Sequence, residues 1–171
     1  LHAADLPAGV LNVVNGLGPV VGAELTTHPD VASVSFTGST AAAKIIQRAA
    51  IETMKRVVLE LGGKGPTIVL DDADLDRAIP VALMSGFANS GQACVAGTRI
   101  LIPLSRRDEM LARLKSEAEK LKVGNPGDPD VRIGPLVNER QWQRIQSYIE
   151  LGKQEGATVL TGGEGRPDGI S

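Results

Sequence analysis

Through its first sixty residues this sequence alternates short apolar runs with helix-forming windows, and that alternation restricts the fold more than any other feature. Val10-Leu11-Asn12-Val13-Val14 has the length and composition of a short buried strand, closed by Asn15-Gly16. Pro19 to Thr27 follows with Val20, Val21 and Leu25 at helical spacing, and Pro19 suits a first helical turn. From Val31 to Phe36 the period drops to two, with Ala32, Val34 and Phe36 on one side and Ser33 and Ser35 on the other. Thr37-Gly38-Ser39-Thr40 breaks that strand, and Ala41 to Ile51 is rich in helix formers. Arg56-Val57-Val58-Leu59 makes a third strand ending at Glu60. The predicted order is β-α-β-α-β, the pattern of a parallel sheet with helices on its faces. Ligands of such sheets bind outside the carboxyl ends of the strands. Thr37-Gly38-Ser39 and Glu60 both fall at such ends, so the pattern directs them to one edge of one sheet.

Gly62-Gly63-Lys64-Gly65-Pro66 marks the best domain boundary. Beyond it, Thr67 to Leu70 reads as a strand, and Asp71-Asp72-Ala73-Asp74 supplies caps for a helix over Leu75 to Phe87. Arg99 to Ile102 reads as a strand stopped by Pro103. Ser105 is expected to cap a helix reaching Leu121, with Met110, Leu111, Leu114, Ala118 and Leu121 on its apolar face. Glu109/Arg113 and Lys115/Glu119 form i,i+4 pairs on its solvated face. Val123 to Asp130 is a turn-rich loop. Asn138 and Gln141 resemble a capping box for a last helix with Trp142, Ile145 and Ile149 on one face, and Thr158 to Thr161 reads as a short strand.

Composition narrows the partners. A formal net charge of -2 offers no basic patch, which argues against nucleic acid and anionic membrane. One cysteine allows no internal disulfide, so a reducing, cytoplasmic setting is expected. No apolar stretch approaches the length of a bilayer span. His2 and His28 lack metal-ligand spacing and read as surface residues, so no metal is expected. The start, Leu1 to Pro7, has no initiator methionine or signal pattern and reads like the tail of a helix. The end stops in a glycine-rich loop, and the expectation is an internal piece of a longer polypeptide.

Two side chains carry chemistry. Cys94 sits among Gly91, Ala93, Ala96 and Gly97, where the small neighbours leave a thiol approachable. The turn Asn89-Ser90-Gly91-Gln92 before it can present backbone N–H groups to a thiolate near a helix start, or to an oxyanion. Glu60 is a lone carboxylate between Leu59 and Leu61, with Gly62-Gly63 following to let it swing or a ligand approach. Such apolar flanks suit a base in proton transfer. Thr37-Gly38-Ser39-Thr40 joins a strand to a helix, where hydroxyls and free amides suit a phosphate as well as a plain N-cap. Gly16-Leu17-Gly18-Pro19 opens the preceding helix in a weaker version of the same arrangement.

Together these segments resemble the aldehyde dehydrogenase superfamily. Phe36-Thr37-Gly38-Ser39-Thr40 is similar to its cofactor-loop motif, Leu59-Glu60-Leu61-Gly62-Gly63-Lys64 to its glutamate signature, and Asn89-Ser90-Gly91-Gln92-Ala93-Cys94 to its cysteine signature. Gly134-Pro135-Leu136 follows in the matching order, and the likeness runs through essentially the whole chain, about the middle third of the family's usual length. The resemblance implies an α/β fold. Residues 1–61 would end a Rossmann-like NAD(P)-binding domain, and residues 62–171 would begin an α/β catalytic domain. It implies that Cys94 attacks an aldehyde to give a thiohemiacetal and then a thioester, and that Glu60 activates the hydrolytic water. Phe36, Thr37, Gly38 and Ser39 would lie along the cofactor loop, Gly38 and Ser39 near the pyrophosphate. Gly18 and Pro19 would sit near the adenine and the Leu61 backbone near the nicotinamide.

The implied cofactor is NAD or NADP, the partner a small aldehyde, and the full-length assembly a homodimer or homotetramer. Branches of the family that release the acyl group to coenzyme A generally lack the base, so Glu60 favours water as acceptor. Two departures stand out: Ala43 where many members carry a second glycine, and Gly65 where Ser or Ala is usual. The family's oxyanion-hole asparagine and ribose-binding lysine would precede Leu1, and its second ribose-binding glutamate and oligomerisation segment would follow Ser171, so this piece alone is expected to be inactive. An alternative reading keeps the fold as a non-catalytic, crystallin-like or NAD-binding protein.

Overall fold

The computed structural model describes residues 4–167. The expectations for Leu1 to Ala3, His2 among them, and for Asp168 to Ser171 lie outside the described residues. The chain divides into two compact units, Leu1–Gly62 and Gly63–Ser171.

In the first unit a π-helical turn over Gly18–Gly22 leads directly into α1, Ala23–Thr27, with Pro19 in the first turn as its missing N–H predicts. Strand β1 (Ser33–Gly38), helix α2 (Thr40–Ile51) and strand β2 (Arg56–Leu61) follow. The two strands pair in parallel, Ser33 opposite Arg56 and Gly38 opposite Leu61. Alternation along β1 holds, with Val34 and Phe36 half-buried and Ser33 and Ser35 exposed, while Ala32 precedes the strand and is exposed. Ala43 and Ala50 are the buried residues of α2, each 2% exposed. Lys55 is buried too, and its ammonium donates to the His28 carbonyl at the C-cap of α1, where the helix dipole favours a cation.

One predicted strand is absent. Val10 to Val14 has no ladder partner among the described residues, and Val10 and Val13 are 64% and 77% exposed. An apolar run becomes a strand only when a neighbour takes its amide and carbonyl groups. Among the described residues β1 and β2 pair only with each other, so a single β-α-β unit forms there in place of the predicted β-α-β-α-β.

The second unit repeats the β-α-β plan with β3 (Pro66–Ile68), α3 (Leu75–Phe87) and β4 (Arg99–Leu101), the strands again parallel. Both strands are shorter than the sequence suggests, although the Val69 amide still reaches the Leu101 carbonyl at 3.0 Å. Leu75, Ile79 and Leu83 recur on one face of α3 and pack with Val69, Met110 and Leu114 into the core. The last two come from α4 (Arg107–Ala118), and α5 (Glu139–Gln154) closes the unit's helices. Ser105 does not cap α4. It lies in a 3-10 turn, Leu104–Arg106, and its hydroxyl donates to Asp71 Oδ1 instead. The i,i+4 pairs Glu109/Arg113 and Lys115/Glu119 form as predicted, at 3.5 and 3.9 Å, both exposed and therefore weak.

The loop after α4 is folded by its own side chains. Asn125 and Asp128 accept from the amides of Gly127 and Asp130, and Val123 bridges to Ile133. The Lys122 ammonium, helped by the Asp130 amide, holds the Asp128 carboxyl below the usual carboxylate range. Asn138 caps α5 through Gln141 N at 2.9 Å. Thr158 to Thr161 forms no strand; Val159 and Leu160 are exposed, and Thr161 donates to Glu119. Among the described residues, no helix is long and apolar enough to cross a membrane.

Asp74 caps α3, taking the Asp76 amide at 3.0 Å. Asp74→Ala is therefore expected to cost about 1 kcal/mol of stability, read as a lowered denaturation midpoint.

Candidate active site

The first unit brings the cofactor-loop residues and the glutamate to the same end of one strand pair. In the parallel register Thr37 faces Glu60 and Gly38 faces Leu61, so both motifs end the sheet at its carboxyl edge. Side-chain alternation then separates Glu60 from its neighbours: Glu60 is exposed, while Leu59 and Leu61 are half-buried on the opposite face. The two leucines flank Glu60 in sequence but not across space, because adjacent residues of a strand point to opposite sides. Phe36 and Gly38 share a face, and the Phe36 ring occupies the space a Gly38 side chain would need. A Cβ there would lie 2.5 Å from the ring's Cζ.

Ser39 is the N-cap of α2, its hydroxyl accepting from the Ala42 amide at 3.2 Å. The amides of Thr40 and Ala41, in the first turn, lie outside the intrahelical ladder. Ala43, the departure from the family's second glycine, is buried, and its methyl fits there. Gly18 and Pro19 are exposed, and nothing lies within 4 Å of a Cβ placed on Gly18.

In the second unit the thiol stands on a loop pinned at both ends. Helix α3 stops at Phe87, and Ala88–Gly91 forms a tight turn in which Asn89, Ser90 and Gly91 all have positive φ, at 52°, 56° and 72°. Asn89 closes the turn on Gln92, its side-chain amide donating to the Gln92 carbonyl and its own carbonyl accepting from the Gln92 amide. Cys94 follows in a second turn, closed by the Ala96 amide on the Ala93 carbonyl at 3.1 Å, and is exposed. No helix begins at Cys94, so the expected help from a helix start is corrected to that of turn amides. Among the described residues the amides of Cys94 and Val95 have no acceptor. They are left free to donate.

Two anchors hold this loop, and the sequence reading missed both. The Gly97 amide donates to the Ser85 carbonyl and hydroxyl, and the Gly97 carbonyl accepts from the Thr67 hydroxyl. At the other end the Ser90 hydroxyl donates to the Gly134 carbonyl at 3.2 Å and accepts from the Gly134 amide at 3.1 Å. The only signals in the sequence were Asn-Ser-Gly as a turn and Gly134-Pro135-Leu136 as a motif; their pairing was not readable. Ser90 also borders a cleft of about 350 Å³ with Gly134, Pro135, Leu136 and Trp142, over which Arg166 lies at 4.9 Å. Cys94 is not among the residues lining that cleft. Among the described residues no group of three or more His, Cys, Asp or Glu is placed to hold a metal ion.

The sequence model of the aldehyde dehydrogenase family matches residues 1–170. The chain is 50% identical to an aldehyde dehydrogenase of Emericella nidulans over 165 residues, which is 96% of this chain and 33% of that protein. It is 44% identical to a betaine aldehyde dehydrogenase of Rhizobium johnstonii, covering 100% of this chain and 35% of the relative. The structure superimposes on a mutant aldehyde dehydrogenase C from Pseudomonas syringae, crystallised with NAD+ and octanal, with a TM-score of 0.95 at 44% identity. That likeness covers 98% of this chain and 35% of the neighbour. An aldehyde dehydrogenase of Bacillus cereus in complex with NAD+ gives a TM-score of 0.93 at 43% identity, covering 97% of this chain and 34% of its own. The chain thus spans about a third of the length of the relatives it matches. With a family match along almost its whole length and a relative 50% identical over 165 residues, the chain belongs to the aldehyde dehydrogenase family.

Proposed function

We propose that this chain supplies the nucleophile, the base and part of the dinucleotide cradle for NAD(P)-dependent oxidation of an aldehyde to a carboxylic acid. Residues 1–61 serve the dinucleotide and residues 62–171 carry the thiol. The observation that carries this reading is the exposed Cys94 thiol in a doubly anchored turn, beside two amides without acceptors. A carbonyl under attack needs that pair: a reachable sulfur, and donors for the oxygen that gains charge.

The first unit fits a dinucleotide phosphate. Helix α2 has twelve residues, and its first-turn amides at Thr40 and Ala41 are outside the ladder. Gly38 and Ser39 would hold the pyrophosphate, Phe36 and Thr37 would support that loop, Gly18 and Pro19 would border the adenine, and the Leu61 backbone would meet the nicotinamide. NAD(P)+, when bound, would supply the acceptor for the hydride that leaves the aldehyde carbon.

In the chain's own chemistry, Cys94 Sγ forms a bond to the carbonyl carbon while the carbonyl π pair moves to oxygen, where the Cys94 and Val95 amides receive it. Loss of the hydrogen with its C–H bonding pair, as the oxygen's pair re-forms the carbonyl, leaves a thioester on Sγ. Glu60 then takes a proton from water as its oxygen bonds the acyl carbon. The C–S bond breaks, the carboxylic acid leaves, Cys94 regains its thiolate, and Glu60 gives its proton to solvent.

The test uses the full-length protein with a panel of short aliphatic aldehydes and either dinucleotide. Wild type is expected to form NAD(P)H and to carry an acyl adduct on Cys94 by peptide mass mapping, and Cys94→Ala to do neither. Undiminished NAD(P)H formation by Cys94→Ala would refute the reading.

A further inference from the structure

We propose that Ser90 is a positioning residue for the Cys94 thiol, acting through the main chain of Gly134. The inference rests on the reading of Cys94 as nucleophile. Asn89 and Ser90 are consecutive non-glycine residues in the left-handed region, an arrangement that persists only where its surroundings enforce it. Asn89 is held locally by Gln92, and asparagine tolerates this conformation. Ser90 has no such local support. Its partner is Gly134, 44 residues along the chain, and the hydroxyl spends both of its functions there, donating to the carbonyl and accepting from the amide.

Gly134 is itself on a fixed strut. On one side the Gly124 amide binds the Ile133 carbonyl at 3.0 Å beside the Val123–Ile133 bridge. On the other, Pro135 restricts the backbone and Asn138 caps α5. Ser90 therefore ties the start of the thiol loop to this strut, while Gly97 ties its end to Ser85 and Thr67. The stretch between, Gln92 to Val95, is largely exposed and takes its position from these two ties. Loss of the Ser90 tie frees the loop at one end without touching the core of Val69, Ile79, Leu83 and Met110.

Two variants of the full-length protein separate the hydroxyl from the backbone. Ser90→Ala removes both hydrogen bonds and keeps the strained conformation unsupported; Ser90→Gly removes the same bonds but accepts a positive φ freely. Without cofactor, both are expected to speed exchange of the hydrogen-bonded Gln92 and Ala96 amides by about tenfold, with α3 and α4 unchanged. In turnover, kcat per titrated thiol is expected to fall by about tenfold or more in both, with KM for the dinucleotide unaltered. Wild-type exchange and kcat in Ser90→Gly would overturn the proposal, since backbone strain alone would then explain the site. Faster exchange with normal kcat would overturn it as well. If wild type oxidises no aldehyde, the proposed activity fails separately, and the tie is still decided by exchange: unchanged rates in both variants refute it.

Discussion

Glu60→Gln in the full-length protein is expected to leave a burst of NAD(P)H close to one per site and to slow the steady state by about 10²- to 10⁴-fold. In the proposed mechanism, attack by the thiol and oxidation to the thioester need no base at Glu60, whereas hydrolysis of the thioester does. The amide keeps the size of the carboxylate and cannot take the proton from water, so the acyl group accumulates on Cys94. Glu60 is exposed at the end of β2, and the substitution leaves the Leu59 and Leu61 face untouched. Folding is accordingly expected to change by less than about 0.5 kcal/mol, which keeps the kinetic effect interpretable. Stopped-flow absorbance separates the phases. A steady-state rate equal to wild type would remove Glu60 from the hydrolytic step.

Gly97→Ala is expected to be the most damaging single methyl near the thiol. Its Cβ would lie 2.2 Å from Thr67 Oγ1 and 2.6 Å from Ser85 Oγ, inside any tolerable contact. Neither hydroxyl can rotate away freely, because Ser85 accepts from the Gly97 amide and Thr67 donates to the Gly97 carbonyl. Overpacking of this kind costs about 1–3 kcal/mol, and each displaced hydrogen bond adds about 1 kcal/mol. A loss of about 3–5 kcal/mol follows, read as a lower denaturation midpoint. Since Gly97 fixes the end of the Cys94 loop, activity should fall with it. Ser85→Ala supplies the control: it empties part of the space, so the double variant should cost less than the sum of the singles. Strict additivity would mean the methyl meets no hydroxyl.

The contrast between these residues shows what could be read in advance. Periodicity alone directs Glu60 and Thr37 to one sheet edge, while the register that sets them opposite each other is seen only in the structure, because parallel direction leaves the offset open. The limits of α3 were equally legible, because Asp74 and the Leu75, Ile79, Leu83 spacing are local signals. Ser105 shows how a local signal fails: its composition suits a cap, but Asp71 offers the hydroxyl a better partner. Val10 to Val14 and Thr158 to Thr161 failed for another reason. Both have strand composition, and composition cannot provide the neighbour whose amides and carbonyls complete a ladder.

By itself, then, the sequence determined the kinds of elements, most of their limits, and which residues stand in the cysteine, glutamate and cofactor-loop motifs, since helix periods and caps act over a few residues. Only the tertiary structure decided what holds the thiol loop, because Ser90 meets Gly134 across 44 residues and Thr67 meets Gly97 across 30. Contacts at that range depend on where folding brings two distant backbones together, and nothing in the identity of either residue alone specifies it.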